Sequence, residues 1–197
     1  MPATTDPPVP TRDRILFTSA ELFRRQGYAG TGLKQVSGAA EAPFGSLYHH
    51  FPGGKEQLAE EVLRTGGAFF EALYRAVTAP EPDLVSGVRA FFRGAGETLV
   101  ATDYADACPI ATVAGEVAST NETLRGACAD VFGSWLDALA ADLRAAGAAP
   151  EPARATALAV LALLEGAFLL CRTLRSVEPM DAAGERAARL VAEEVAR

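Results

Sequence analysis

The chain has little of what most enzymes use for chemistry. Only two histidines occur in 197 residues, and they are neighbours, His49 and His50. No Gly-x-Ser-x-Gly elbow, paired-carboxylate, Cys/His or phosphate-loop motif is present. Acid–base work would fall to isolated carboxylates, so an all-α enzyme is the weakest reading. Three cysteines (Cys108, Cys128, Cys171) are odd in number and widely spaced, without a CxxC. That argues against a zinc site and fits free thiols in a reducing cytoplasm. No metal and no cofactor is expected. The N-terminus is proline-rich and lacks the basic-then-apolar order of an export signal. No segment makes a convincing strand, and no internal repeat is visible. The apolar run Ala155–Cys171 carries Glu165 near its middle and is rich in alanine. It reads as a buried helix rather than a membrane span.

What the chain does have is apolar mass and an uneven charge. Apolar residues make up 49%, enough for a substantial core, and the net charge is −7. Residues 1–55 hold six basic groups (Arg12, Arg14, Arg24, Arg25, Lys34, Lys55) against four acidic ones (Asp6, Asp13, Glu21, Glu41), a balance of +2 that leaves −9 for the rest. A polyanion is repelled by most of this protein and tolerated only by its head.

The periodicity is helical throughout. Residues 1–10 hold four prolines and are expected to be a disordered tail. Helix one is expected from Thr11, with Ile15, Leu16, Ser19, Leu22 and Phe23 on one face and a stop at Gly27. Thr31 is expected to cap helix two, the turn to fall at Ala40–Ala42, and Pro43 to open helix three. Two short helices joined by a tight turn behind a longer support helix make a helix–turn–helix head over residues 11–54. Long helices follow over 55–197. Pro80 and Pro82 break the first, Asp83 caps the next, and Pro109 opens a short one. Asn121 starts another that ends at Gly147. Pro150 and Pro152 precede a helix to about Val177, and Asp181 caps the last. The total is about nine.

In such heads the N-terminal part of the third helix reaches base edges in the major groove. Here that part carries Pro43, Phe44 and Ser46, with Gly45 allowing close backbone approach. Tyr48 and His49 can donate to phosphate oxygens, which sets register without reading sequence. Lys55 adds charge near a helix start. Thr31 and Lys34 are placed for phosphate on the other flank. Leu47 and Phe51 read as core, and His50 as packed on helix one.

The stretch Gly45-Ser46-Leu47-Tyr48-His49-His50-Phe51 followed by Lys55 resembles the DNA-binding domain of TetR-family repressors. The longer GSLYHHFPGGKEQL, with Cys108-Pro109-Ile110-Ala111, resembles the LmrA-like branch. The resemblance implies an all-α homodimer on double-stranded DNA at a palindromic operator. It also implies a C-terminal ligand pocket and a four-helix dimer interface. It gives Thr31, Tyr48 and Lys55 the phosphate role. Two positions depart from the pattern. Glu41 stands where glycine is usual, and a tight turn with positive φ there costs a non-glycine about 1 kcal/mol. Phe44 stands where a basic or polar residue is usual; it can touch a thymine methyl but cannot bind guanine bidentately. These departures keep a second reading open, a dimeric helical scaffold whose head has lost or changed its DNA function.

Aromatics gather in the C-terminal part. Phe69, Phe92, Phe132, Trp135 and Phe168, with Thr112, Glu116 and Glu165 as polar groups, form the candidate ligand set. Simple core packing is the alternative for each aromatic. Glu165 either meets a cationic or aromatic effector, pairs with Arg89, Arg93 or Arg172, or accepts backbone N–H bonds. The alanine-rich last two helices can form half of a dimer interface or pack within one chain.

Overall fold

The computed structural model describes residues 9–196. Among them are nine helices and no strand: α1 (Thr11–Gln26), α2 (Leu33–Ala39), α3 (Phe44–His50), α4 (Gly54–Thr78), α5 (Leu84–Ala101), α6 (Pro109–Val117), α7 (Glu122–Ala145), α8 (Pro150–Leu174) and α9 (Glu178–Val195). Most of the expected tail lies outside the described residues. Val9 and Pro10 are held, because Arg14 donates to the Val9 carbonyl and Pro10 forms the N-cap of α1.

Several boundaries follow local chemistry as expected. Asp83 accepts from the Ser86 N–H and Asn121 from the Leu124 N–H, each satisfying an orphan donor at a helix start. Gly27 ends α1 with φ 78° and ψ 175°, a conformation essentially reserved for glycine. Other boundaries differ. Gly32, not Thr31, is the N-cap of α2, because the Thr31 hydroxyl turns back to donate to the Gly27 carbonyl at 2.7 Å. Pro43 precedes α3 as its N-cap. Pro150 and Pro152 lie inside the first turn of α8, where their missing N–H groups cost nothing. That helix stops at Leu174 as Arg175 turns left-handed (φ 54°). Asp181 sits inside α9, which starts three residues earlier at Glu178.

Two apolar cores organise the chain. The first runs from Ile15, Phe23, Val36, Leu47 and Phe51 of the head into Leu58, Val62 and Leu63 of α4, Ile110 and Val113 of α6, and Leu124 of α7. The head is therefore continuous with α4, α6 and the start of α7. The second joins α5, α7, α8 and α9 through Phe92, Leu99, Leu143, Cys171, Met180 and Val191. At Gly67, a Cβ would stand 2.5 Å from Val131 Cγ1, so glycine lets α4 and α7 close.

The apolar helix α8 is buried on one face only. It is long and apolar enough to cross a membrane by length and composition, and 28% of its most apolar stretch is buried. Leu158, Leu169, Leu170 and Leu174 lie exposed along it. The expectation of a buried helix thus fits one side and misses the other.

Candidate DNA-contacting head and ligand cavity

The α2–α3 turn explains how this chain does without the usual glycine. Glu41 takes φ 48°, the strained left-handed conformation expected at that position. Arg14, on α1, reaches across. Its Nε donates to the Ala40 carbonyl at 3.1 Å and its Nη2 to the Glu41 carbonyl at 3.2 Å. Ser37 Oγ donates to the Ala42 carbonyl at 2.6 Å. Charge-assisted bonds to backbone contribute about 1.5–3 kcal/mol each, enough to offset the cost of the turn. Arg14 was not among the expected site residues. Its partners lie 26 and 27 residues away, and nothing local marks it.

Around that turn, Lys34, Pro43, Gly45 and His49 are exposed, and Ser46 is half-buried. Phe44 (42% exposed) and Tyr48 (47%) stand one helical turn apart with rings edge to face at 5.5 Å. Leu47 and Phe51 are fully buried, as their spacing predicts. Thr31 corrects an expectation. It is 1% exposed and its hydroxyl is committed to Gly27, so its side chain does not face outward. Lys55 is half-buried with its Nζ 4.3 Å from the centre of the Tyr28 ring. Burial pushes its amine below the usual lysine range, and Glu116 opposes that shift.

A cavity of about 420 Å³ opens among α4, α5, α7 and α8. Phe69, Phe92, Trp135, Glu165 and Phe168 line it, five of the eight expected ligand residues. The other three lie elsewhere. Thr112 donates to the carbonyl of Cys108, the N-cap of its own helix. Glu116 is exposed and accepts from the Ala29 N–H of the head at 2.6 Å. Phe132 packs on Trp135 at 5.7 Å, beside a separate small recess with Cys128 and Ala114. Phe132 is expected there as one of the gathered aromatics and Thr112 and Glu116 as polar groups among them, but none of the three lines the cavity. Trp135 donates its Nε1–H to the Gly67 carbonyl at 2.9 Å, and Tyr74 donates to Asp142 at 2.8 Å. The polar tips of both rings are therefore satisfied by protein, and the cavity sees largely apolar surface.

Glu165 is the exception. Both of its carboxylate oxygens are sealed from solvent and make no hydrogen bond. None of the expected pairings forms, neither with Arg89, Arg93 or Arg172 nor with a backbone N–H. Arg89 bonds Glu185 at 3.1 Å, and Arg172 donates to the carbonyls of Tyr104 and Ala105. Burial pushes the Glu165 carboxyl up to about 7, and only the nearby Cys108 thiol opposes it.

One end of the cavity belongs to the head. Arg24 of α1 lines it, together with Asp106 and Cys108 from the approach to α6. Asp106 is buried and bridges two arginines of α1, Arg24 Nη2 at 2.9 Å and Arg25 Nε at 3.1 Å. The other end of α6 carries Glu116, bonded to Ala29. Two ties thus hold α6 to the head, and one of them is part of the cavity wall.

This architecture has relatives. Residues 15–62 match the family described as bacterial regulatory proteins, tetR family, and residues 85–186 match the LmrA/YxaF-like transcriptional regulator C-terminal domain. The chain belongs to the TetR family, in its LmrA/YxaF-like branch. It is a helix–turn–helix transcriptional regulator. The regulator LmrA of Bacillus subtilis is 33% identical over 170 residues, covering 86% of this chain and 90% of LmrA. The transcriptional repressor DhaR of a Mycobacterium species is 25% identical over 181 residues, 87% of each chain. A TetR regulator crystal structure from Legionella pneumophila superposes with a TM-score of 0.83 at 19% identity, over 93% of this chain and 98% of that one, which shows the shared fold. In this TetR-family chain the second family match, 85–186, spans both the Asp106 tie and Glu165.

Proposed function

We propose that this TetR-family regulator is a cytoplasmic repressor. It binds a palindromic DNA operator as a homodimer and lets go when a small, largely apolar effector enters the cavity. The observation that carries the reading is the shared wall: Arg24 belongs to the DNA-contacting head and also lines the ligand chamber. An effector seated there touches the head directly. Repression follows from the likeness to the transcriptional repressor DhaR. The uncovered leucines of α8 supply an apolar face for a four-helix dimer with α9.

On the DNA, Phe44, Gly45 and Ser46 face base edges, with Pro43 setting the entry of α3. Lys34, Tyr48, His49 and Lys55 face phosphates. Gly45 has open space where a Cβ would stand, so the fold itself does not require glycine there and close approach of DNA accounts for it. Binding selection on random duplexes is expected to return a two-fold symmetric consensus, with affinity falling steeply as salt rises. An asymmetric consensus, or none, overturns the reading. Lys55→Ala is expected to weaken all duplexes alike and to reduce the salt slope by about 1, whereas Phe44→Ala changes sequence preference. Fluorescence anisotropy at several salt concentrations checks both.

The Asp106 tie is expected to carry the coupling. Removing one partner of a buried ion pair costs about 3–5 kcal/mol. Here Arg24 and Arg25 are 31% and 49% exposed, so screening lowers the figure. Asp106→Asn is expected to lose about 2 kcal/mol by urea unfolding, and to bind operator with reduced response to any cavity ligand.

A further inference from the structure

We infer that the effector is an aromatic or polycyclic amine whose ammonium group is held by Glu165, with its rings against Phe92, Trp135 and Phe168. The inference rests on the cavity being the effector site and names the chemical class that site selects.

An unpartnered buried carboxylate is rare in folded proteins, since its desolvation goes uncompensated. Glu165 lines a cavity, and both of its oxygens lie buried and unpartnered behind that wall. No arginine reaches it: Arg89 bonds Glu185, Arg172 donates to backbone carbonyls, Arg24 bonds Asp106 through Nη2, and neither the remaining Arg24 Nε nor Arg93 bonds a Glu165 oxygen. The Cys108 thiol lies close enough to favour the carboxylate, but it is a weak neutral donor and falls short of a full hydrogen bond to either oxygen. What is missing is a donor, and a charged donor recovers the most. The rest of the wall suits the same ligand, because the faces of Phe92, Trp135 and Phe168 attract a cation through the ring quadrupole. An anion meets the opposite situation. Its one cationic contact in the wall would be Arg24, whose Nη2 is bonded to Asp106 and whose Nε alone is unpartnered, and the Glu165 carboxylate would repel it. The volume of about 420 Å³ accommodates a two- or three-ring frame. The Trp135 N–H and the Tyr74 hydroxyl are engaged by protein. Glu165 is thus the unpartnered acceptor left to orient a ligand on α8, with Arg24 Nε the unpartnered donor at the end of the cavity that belongs to the head.

Three probes on one frame test the class: 2-naphthylmethylamine, 2-naphthylmethanol and 2-naphthoic acid. Trp135 is the only tryptophan and lines the cavity, so its fluorescence reads each titration. The amine is expected to bind at least ten-fold more tightly than the alcohol, and the acid most weakly. In Glu165→Gln the amine falls to the level of the alcohol while the alcohol itself is unchanged. Alcohol or acid binding as tightly as the amine overturns the assignment of class and leaves the cavity reading standing. So does an amine preference that survives in Glu165→Gln. If none of the three perturbs Trp135, the cavity reading itself fails and this inference falls with it. The wild-type comparison needs no variant, so a poorly folded mutant does not obscure the result.

Discussion

Gly27→Ala is expected to lower the unfolding free energy by about 3 kcal/mol and to weaken operator binding in the same variant. Two effects combine. The backbone at φ 78° and ψ 175° lies in a region essentially open to glycine alone, and occupying it with a side chain costs about 1–3 kcal/mol. A Cβ there would also stand 1.7 Å from Glu116 Oε1, so the carboxylate must leave. Leaving breaks its bond to the Ala29 N–H, one of the two ties between α6 and the head. That bond is exposed and contributes about 1 kcal/mol. Urea unfolding of Gly27→Ala, Glu116→Ala and the double variant separates the parts. Glu116→Ala alone loses about 1 kcal/mol. The double variant loses less than the sum, because the collision is gone. Strict additivity would show that the two residues do not meet.

The second large effect is a dependence of stability on pH that Glu165 imposes. Its carboxyl is raised from an ordinary value of 4.5 to about 7 in the folded chain, chiefly by burial. The folded state therefore holds a proton that the unfolded state has released between these values. Stability is greatest below about pH 4.5 as far as this group is concerned. It falls as pH rises through 7, and the full difference is about 3 kcal/mol. Glu165→Gln removes this slope. Relative to wild type, the variant is expected to be more stable at pH 8 and little changed at pH 5. Paired urea melts at pH 5, 6, 7 and 8 measure the difference, and subtracting wild type from variant cancels every other titrating group. A wild-type slope unchanged in Glu165→Gln would mean the carboxyl is solvated. A protonated amine seated beside Glu165 is expected to flatten the same slope, since it favours the ionised form.

Much of the head was legible because its determinants are local. Helix spacing alone singles out Leu47 and Phe51 as core, and both are fully buried. Beyond the head, Asp83 and Asn121 cap α5 and α7, since a side-chain oxygen three residues before a free N–H has few other uses. Glu41 in place of glycine predicts a strained turn, and φ is 48° there. Thr31 shows where local reading fails. A threonine hydroxyl can bond forward as a cap or backward to a carbonyl, and here the Gly27 carbonyl wins. In the C-terminal part, the aromatics mark a region rather than a face. Phe69, Phe92, Trp135 and Phe168 converge on the cavity, whereas Phe132 turns to the other side of α7.

The sequence by itself determined an all-helical chain, a helix–turn–helix head and a specific family, because caps, turns and apolar spacing act between residues a few positions apart. It also singled out Glu165 as a charge in an apolar helix. Only the tertiary structure decided what that charge meets, and the answer is a cavity rather than an arginine. It also decided that Arg25 and Asp106, 81 residues apart, tie the head to α6, with Arg24 at the same carboxylate. Such pairings depend on how helices cross and which faces they present once packed. That geometry comes from the whole core acting together, and no window of the sequence contains it.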